Sequence, residues 1–441
     1  MSAYSLKNNG RRVSLLAAGA MALVSRGADA MQPLTQFVDA AHHYNADNRE
    51  AAATMNQRAA ETQQSRYHLL PVLSARAGYT RNQYEVVATF PQGTGQPAHT
   101  ATITPQDQFE ASLTLDVPLI DVGAWSRIGA AQANEDAAHA RVASTSFEID
   151  RQVSRAYFQI VAARAVLASA QRSVDVSERN HAQLTERRAA GLASELDVER
   201  ARAEIERGRQ TVAEAELSAS IATRTLETLS GIVPSGVVPA LPDDLHEEAP
   251  LSRWESSVSR VPGVRAAELD VRAADATTTA IWYGLLPTVA ASATERFTNA
   301  VGFGYSPTWA AGVALTWRGD VSAIAVARGQ SAAAEAARAR LDRSLRAARD
   351  AVHNDWQQVH SSLVRSNAAR SQLAASTHAA QIAHDRYAQG LATQLDVLQA
   401  DRDAFAADVA RIQADADLAY ARVLLRIDAG QGLDASTGVS R

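Results

Sequence analysis

Gly191-Leu192-Ala193-Ser194-Glu195-Leu196-Asp197-Val198 returns, nearly unchanged, as Gly390-Leu391-Ala392-Thr393-Gln394-Leu395-Asp396-Val397. The offset is 199 residues (390 against 191), and it also pairs Val153 with Val352, Tyr157 with Trp356 and Gln159 with Gln358. The chain is a tandem duplication, and repetition on this scale decides architecture before local detail does. Upstream, Leu69-Leu70-Pro71-Val72 returns as Leu285-Leu286-Pro287-Thr288 at an offset of 216 (287 against 71), 17 more than the hairpin offset. Each half reads in the same order: helix, Leu-Leu-Pro, alternating segment, loop, alternating segment, long helix, Gly-Leu-Ala hairpin, long helix.

The hairpin has a local cause. Gly191 and Gly390 can adopt the left-handed conformation that ends a helix, and Ser194 and Thr393 then serve as N-caps. Asp197 and Asp396 follow three residues later, a capping-box spacing with Asp in place of the usual Glu or Gln. Capping accounts for both aspartates locally and leaves room for a second role if several such tips converge.

From Leu391 the apolar positions fall at Leu395, Leu398, Phe405, Val409, Ile412, Ala416, Ala419 and Val423, with Arg402 alone off the pattern. That is a heptad seam. In the first half Val153, Ile160, Leu167 and Val174 repeat at sevens, each followed three residues later by Ala156, Ala163, Ala170 or Ser177, small enough for backbones to approach closely. No proline interrupts residues 123–190, so the spacing predicts a helix of roughly 68 residues, about 100 Å long.

After each Leu-Leu-Pro the period changes to two. Trp309, Ala311, Val313, Leu315 and Trp317 form one apolar face bracketed by tryptophans, the pattern of a membrane-spanning strand with aromatic girdles. Leu113, Leu115 and Val117 alternate with Ser112, Thr114 and Asp116, while Leu73, Ala75, Ala77 and Tyr79 alternate with Ser74, Arg76, Gly78 and Thr80. A weaker strand is expected over residues 288–296. Arg76, Asp116 and Glu295 are candidates for the barrel lumen, with solvated or ion-paired side chains as the plainer reading. The Pro- and Gly-rich residues 90–106 read as a surface loop, with 298–307 as the shorter counterpart. Four strands cannot close a barrel, and no sheet edge survives in lipid, so the chain must pool strands with copies of itself; three copies supply twelve.

Lys7, Arg11 and Arg12, the apolar run of residues 13–24 and Ala28-Asp29-Ala30 read as a secretory signal peptide ending at Ala30. No later stretch approaches the roughly 20 apolar residues of a transmembrane helix. The absence of cysteine excludes disulfides, Cys-ligated metal and a lipidated cysteine, and a net charge of −5 disfavours nucleic acid. The expected division is 1–30 signal peptide, 31–230 first repeat, 231–262 Pro-rich linker, 263–430 second repeat and 431–441 flexible tail.

With these residues assembled, the chain resembles the TolC family of outer-membrane efflux and secretion channels. The match rests on the doubled Leu-Leu-Pro, on Val117-Pro118-Leu119-Ile120-Asp121-Val122-Gly123, and on both Gly-Leu-Ala hairpins. Tyr387-Ala388-Gln389-Gly390, continuing to Asp396-Val397-Leu398-Gln399-Ala400, is similar to the family's Tyr-x-x-Gly…Asp-Val-Leu-x-Ala signature. The resemblance implies a mostly α fold with membrane β: a homotrimer with a 12-stranded outer-membrane β-barrel continued through the periplasm by a coiled-coil α-barrel. It implies a passive channel of a tripartite efflux pump or type I secretion system, whose tips dock onto a periplasmic adaptor and so reach an inner-membrane pump or ABC transporter. Gly191, Leu192, Ala193, Gly390, Leu391 and Ala392 would form the docking tips; Tyr387, Asp396 and Asp197 the periplasmic gate; and Trp309 and Trp317 the girdle in outer-membrane lipid. The chain departs from the family's best-known pattern where Ala392 stands in place of the basic gate residue of some members and Gln399 in place of the second aspartate of some. A ring of three carboxylates is thus expected instead of six, held by fewer charge-assisted bonds.

An enzyme fits poorly, since the scattered histidines lack metal-ligand spacing and no phosphate-binding loop follows a strand; no cofactor or metal is expected. A soluble periplasmic coiled-coil adaptor would explain the leader and the heptads but not the Trp-bracketed strand or the doubled Leu-Leu-Pro.

Overall fold

The computed structural model describes residues 30–90, 99–239, 241, 243, 245–302 and 304–431. The expected leader up to residue 29 and the expected tail beyond Gln431 lie outside the described residues. Two short helices, α1 (Leu34–Tyr44) and α2 (Ala46–Tyr67), lead into β1 (Val72–Arg81), β2 (Val86–Phe90), β3 (His99–Thr104) and β4 (Asp107–Ile120). Helices α3 (Val122–Ala189) and α4 (Glu195–Ser230) complete the first half. After α5 (Leu251–Glu255) and a single 3₁₀ turn, the second half runs through α6 (Pro262–Tyr283), β5 (Thr288–Thr298), β6 (Thr308–Thr316), α7 (Val321–Ala388) and α8 (Gln394–Asp428).

Each Leu-Leu-Pro ends a helix and starts a strand, because proline cannot continue the helical ladder and biases its predecessor to extended backbone. At the far end of the strands an aspartate restarts the helix. Asp121 Oδ1 accepts from Ala124 N at 2.7 Å and Asp320 Oδ1 from Ser322 N at 2.8 Å, so both 68-residue helices open on the same side-chain cap.

The upper part of α3 lies against α6, where Arg141 meets Asp270 at 2.6 Å, and α7 packs there too, with Arg338 meeting Asp275 at 2.7 Å. Below, each long helix pairs with its hairpin partner, α3 with α4 and α7 with α8. The level between is a belt. Phe37, Ile149, Val153, Ile160, Leu226 and Ile427 close one core cluster there, and Trp254, Val352, Leu418 and Leu425 a second. Fully burying a side chain such as Leu226 contributes about 1.5–3 kcal/mol, so these clusters anchor helices that elsewhere meet through alanine.

The sheet runs β1-β4-β5-β6, antiparallel throughout, and among the described residues the outer edges of β1 and β6 carry no further strand. Its register defines two faces. Leu73, Ala75, Ala77 and Tyr79 lie opposite Leu115, Leu113, Ala111 and Phe109. These continue through Ala293 and Phe297 to Ala311 and Trp309 as an apolar face. The other face carries Arg76, Ser112, Thr114, Asp116, Ser292, Thr294 and Arg296, with Arg296 Nε 2.8 Å from Glu110 Oε1. Trp309 on the apolar face and Trp317, one residue past the end of β6, are 80% and 67% exposed. They stand about 26 Å apart along the strand, or about 20 Å of depth at a usual barrel tilt, within an apolar band about 25 Å tall.

Two expectations change. Glu295 does not share the polar face with Arg76 and Asp116; it sits between Leu113 and Trp309 on the apolar face, and its neighbour Arg296 takes the polar position. The small residues of Thr288–Thr298 hide the parity of that strand, and a slip of one residue exchanges the faces. Residues 90–106 are not all loop. His99–Thr104 pairs with Val86–Phe90 as a separate two-stranded sheet, because alternating threonine between two proline-bearing stretches favours extended backbone. This hairpin occupies the additional length of the first half.

Candidate functional site

The two hairpin tips are built alike. Gly191 and Gly390 have φ of +73° and +77°, and the next amide reaches back to the helix: Leu192 N donates to Arg187 O and Leu391 N to Arg386 O, both at 2.8 Å. A side chain at either glycine would be strained, so the reversal depends on glycine. Leu192 and Leu391 project into solvent, with Ala193 and Ala392 half-buried behind them.

The caps that follow differ. At the second tip Asp396 Oδ2 accepts from Thr393 N at 2.8 Å and from Thr393 Oγ1 at 2.7 Å, while Asp396 N donates to Thr393 Oγ1, completing a capping box. These donors hold the Asp396 carboxyl below the usual carboxylate range. At the first tip Asp197 accepts from Ser194 Oγ at 2.7 Å, its own amide donates back at 3.2 Å, and Arg200 Nη1 stands 4.0 Å from its Oδ1. Asp197 is half-buried and Asp396 exposed.

Tyr387 joins the hairpins. Its ring packs onto Leu184 and Val198 of the first hairpin and lies under the Arg187 guanidinium, 4.8 Å from the ring centroid. Burial raises its phenol, with Asp197 adding to the rise and Arg187 opposing it. Thus Tyr387 and Asp197 share one neighbourhood, whereas Asp396 is engaged with its own helix start.

A charged link between the hairpins stands higher up. Arg402 Nε lies 3.0 Å from both carboxylate oxygens of Glu204, and its Nη2 bonds Oε2 as well, a fork-like contact from α8 to α4. Nearby, His384 Nε2 lies 2.9 Å from Asp401 Oδ1 and Ser169 Oγ donates to Asp408 at 2.5 Å. Arg402 was visible in the sequence as the one break in the α8 seam. Its partner was not, because Glu204 belongs to the other repeat. Gln399, whose amide was expected to leave the tip with one carboxylate fewer, donates to Asp403 at 3.0 Å.

Among the described residues no three His, Asp or Glu side chains gather in a metal-holding arrangement, and no helix is long and apolar enough to cross a membrane. What the arrangement offers is a pair of capped helical tips, one leaning on the other, below a wall of four helices.

Comparison with known proteins agrees with this architecture. The chain is 28% identical over 268 residues to the outer membrane efflux protein BepC of Brucella suis, covering 56% of this chain and 59% of that one. It is 30% identical over 171 residues to protein CyaE of Bordetella pertussis, 37% of this chain and 36% of that one, so the matches span under two thirds of either relative. The Campylobacter jejuni CmeC outer membrane channel has the same fold, with a TM-score of 0.75 at 17% identity over 91% of this chain and 86% of that one. The family described as Outer membrane efflux protein matches residues 38–232 and 255–431, well over half of the chain. On that match, and on the strand and hairpin geometry that accompanies it, the chain belongs to the outer membrane efflux protein family.

Proposed function

We propose that the protein is the outer-membrane channel of a tripartite efflux pump or type I secretion system, a passive conduit across the outer membrane and periplasm. The observation that carries this reading is the sheet: four strands whose outer edges are bare among the described residues, one apolar face and one polar face, continued through short aspartate-capped links into two 68-residue helices. Three chains closing edge to edge give twelve strands and a lumen lined by residues such as Arg76, Asp116 and Arg296. In this reading residues 31–230 and 263–430 are the two repeats, joined at the belt by 231–262. The tips formed by Gly191, Leu192, Ala193, Gly390, Leu391 and Ala392 dock a periplasmic adaptor, and the inner-membrane transporter supplies energy and substrate choice. Tyr387 and Asp197 hold the second hairpin against the first, and three Asp396 carboxylates ring the constriction and favour cations.

Mass in detergent, measured with single-channel conductance of the mature protein in a planar bilayer, tests the proposal. A trimer giving discrete cation-selective openings is expected. A monomer that makes no pores and leaves membranes with salt overturns it in favour of a soluble adaptor.

A further inference from the structure

The duplication provides an internal control for every position, and at the belt the two halves fill one position differently. By the 199-residue offset, Asp355 of α7 corresponds to Ala156 of α3, and Asp428 of α8 to Leu229 of α4. In the first half this position is apolar: Ala156 is buried and Leu229 packs against the same core cluster. In the second half both residues are carboxylic acids, only 9% and 4% exposed. The fold therefore does not require acids here. Their presence also works against the helix, since Asp428 is the last residue of α8, where unpaired carbonyls oppose negative charge.

The two side chains lie beside each other, and Oδ2 of each is buried without a hydrogen-bond partner among the described residues. Two buried carboxylates in contact cannot both ionise at low cost, and one proton between them satisfies both oxygens. Burial first, and then the neighbouring Asp428, push Asp355 up to about 8; burial raises Asp428 as well. The groups facing the pair are few. From α3, Arg151 Nε lies 3.5 Å from Asp428 Oδ1, and the same arginine lies 3.5 Å from Glu148. From α8 comes Tyr420, whose phenol burial raises and which Arg155 and Arg151 also face. The adjoining cavity presents Val261, Gly263 and Val264 at the start of α6. On the belt side, Ser257 Oγ bonds Ala429 O at 2.7 Å, while Asp243 and Glu248 are engaged with Arg422.

We propose that Asp355 and Asp428 form a proton-shared latch tying the C-terminal end of α8 to the middle of α7 at the belt, closed while one proton is shared and released when alkali removes it. Release loosens the second hairpin at its belt end and leaves the first, with its apolar pair, unchanged. The sign follows from the shift. The unfolded carboxyl ionises near 3.8 and the folded one near 8, so the latch contributes fully below about pH 4. Its contribution falls as pH rises between these values and is gone above about 8.

Hydrogen exchange of the full-length protein in detergent from pH 6 to 9, corrected for intrinsic exchange, compares the last turn of α8 with that of α4. The α8 end should lose protection by about tenfold between pH 7 and 9, one pKa unit being a factor of ten, while the α4 end holds. Asp355→Asn donates an amide N–H to Asp428 at every pH and should flatten the profile. The double variant Asp355→Ala/Asp428→Leu, which installs the first half's pair, should flatten it too. Equal loss at both ends in the unmodified protein overturns the latch, whether or not the variants fold. So does an unmodified pH profile in either variant.

Discussion

Neutralising Glu204 is the sharpest test of how the two hairpins are held together. Its side chain is 15% exposed and that of Arg402 is 37%, so the pair stands between two regimes. A solvent-exposed ion pair contributes about 0.2–1 kcal/mol, whereas removing one partner of a buried pair costs about 3–5 kcal/mol. With the guanidinium more than a third open to water, and discounted for screening, the coupling should be about 1–2 kcal/mol. Because the contact joins α4 to α8 of different hairpins, that energy bears directly on a motion separating them. A difference of this size is a factor of about 5–30 in an equilibrium. Glu204→Gln should raise single-channel open probability by that factor, with Arg402→Met giving a similar increase and the double variant no more. A parallel double-mutant cycle on unfolding should return the same coupling. A coupling within about 0.3 kcal/mol of zero, together with unchanged open probability, would refute the reasoning.

Asp396→Asn should abolish the proposed cation preference while leaving the tip helical, since Thr393 remains the N-cap and the asparagine carbonyl oxygen can still accept from Thr393 N; reversal potentials that stay unchanged would reject the carboxylate ring. His42 Nε2 lies 2.6 Å from Asp150 Oδ1, which raises the imidazole above its usual 6.5. Its contribution is therefore full below pH 6.5 and disappears as pH climbs through the raised value, so α1 should become more protease-sensitive in alkali, and His42→Gln should remove that dependence. Gly123→Ala would place a methyl 2.9 Å from the Gly284 backbone and should destabilise by about 1–3 kcal/mol in thermal unfolding. Gly129→Ala, which meets nothing within 4 Å, is the matched control and should be neutral or slightly stabilising.

Much of the architecture could be read from residues acting locally. The proline-free run after Asp121 and the glycine at residue 191 mark a helix that spans Val122–Ala189, and the Leu-Leu-Pro landmarks mark where strands begin. What stayed hidden depends on pairing between distant segments. The polarity of Glu295 suggested a lumen, but its face is set by register against Leu113 and Trp309, which a run of alanines cannot announce. The β2–β3 hairpin was obscured because prolines flanking residues 99–104 outweighed the threonine alternation between them. At the tips, the glycines and caps were legible, as was the oddity of Arg402. Its partner, the seat of Tyr387 on the first hairpin, and the acid pair at the belt all join helices from different repeats or opposite ends of a hairpin, where no sequence spacing reports contact.

The bare edges of β1 and β6 bear on how such a chain reaches its membrane. Each edge leaves a row of amides and carbonyls that hydrocarbon cannot satisfy, and the apolar face between them is poorly suited to water. Neither medium accommodates a lone chain. If three chains close edge to edge as proposed, insertion and association advance together, with each strand added at one chain's border becoming the template for the next. The yield of functional protein should depend steeply on how many chains arrive at one place at once, and any factor that shields those borders in transit would act as a chaperone for assembly more than for folding.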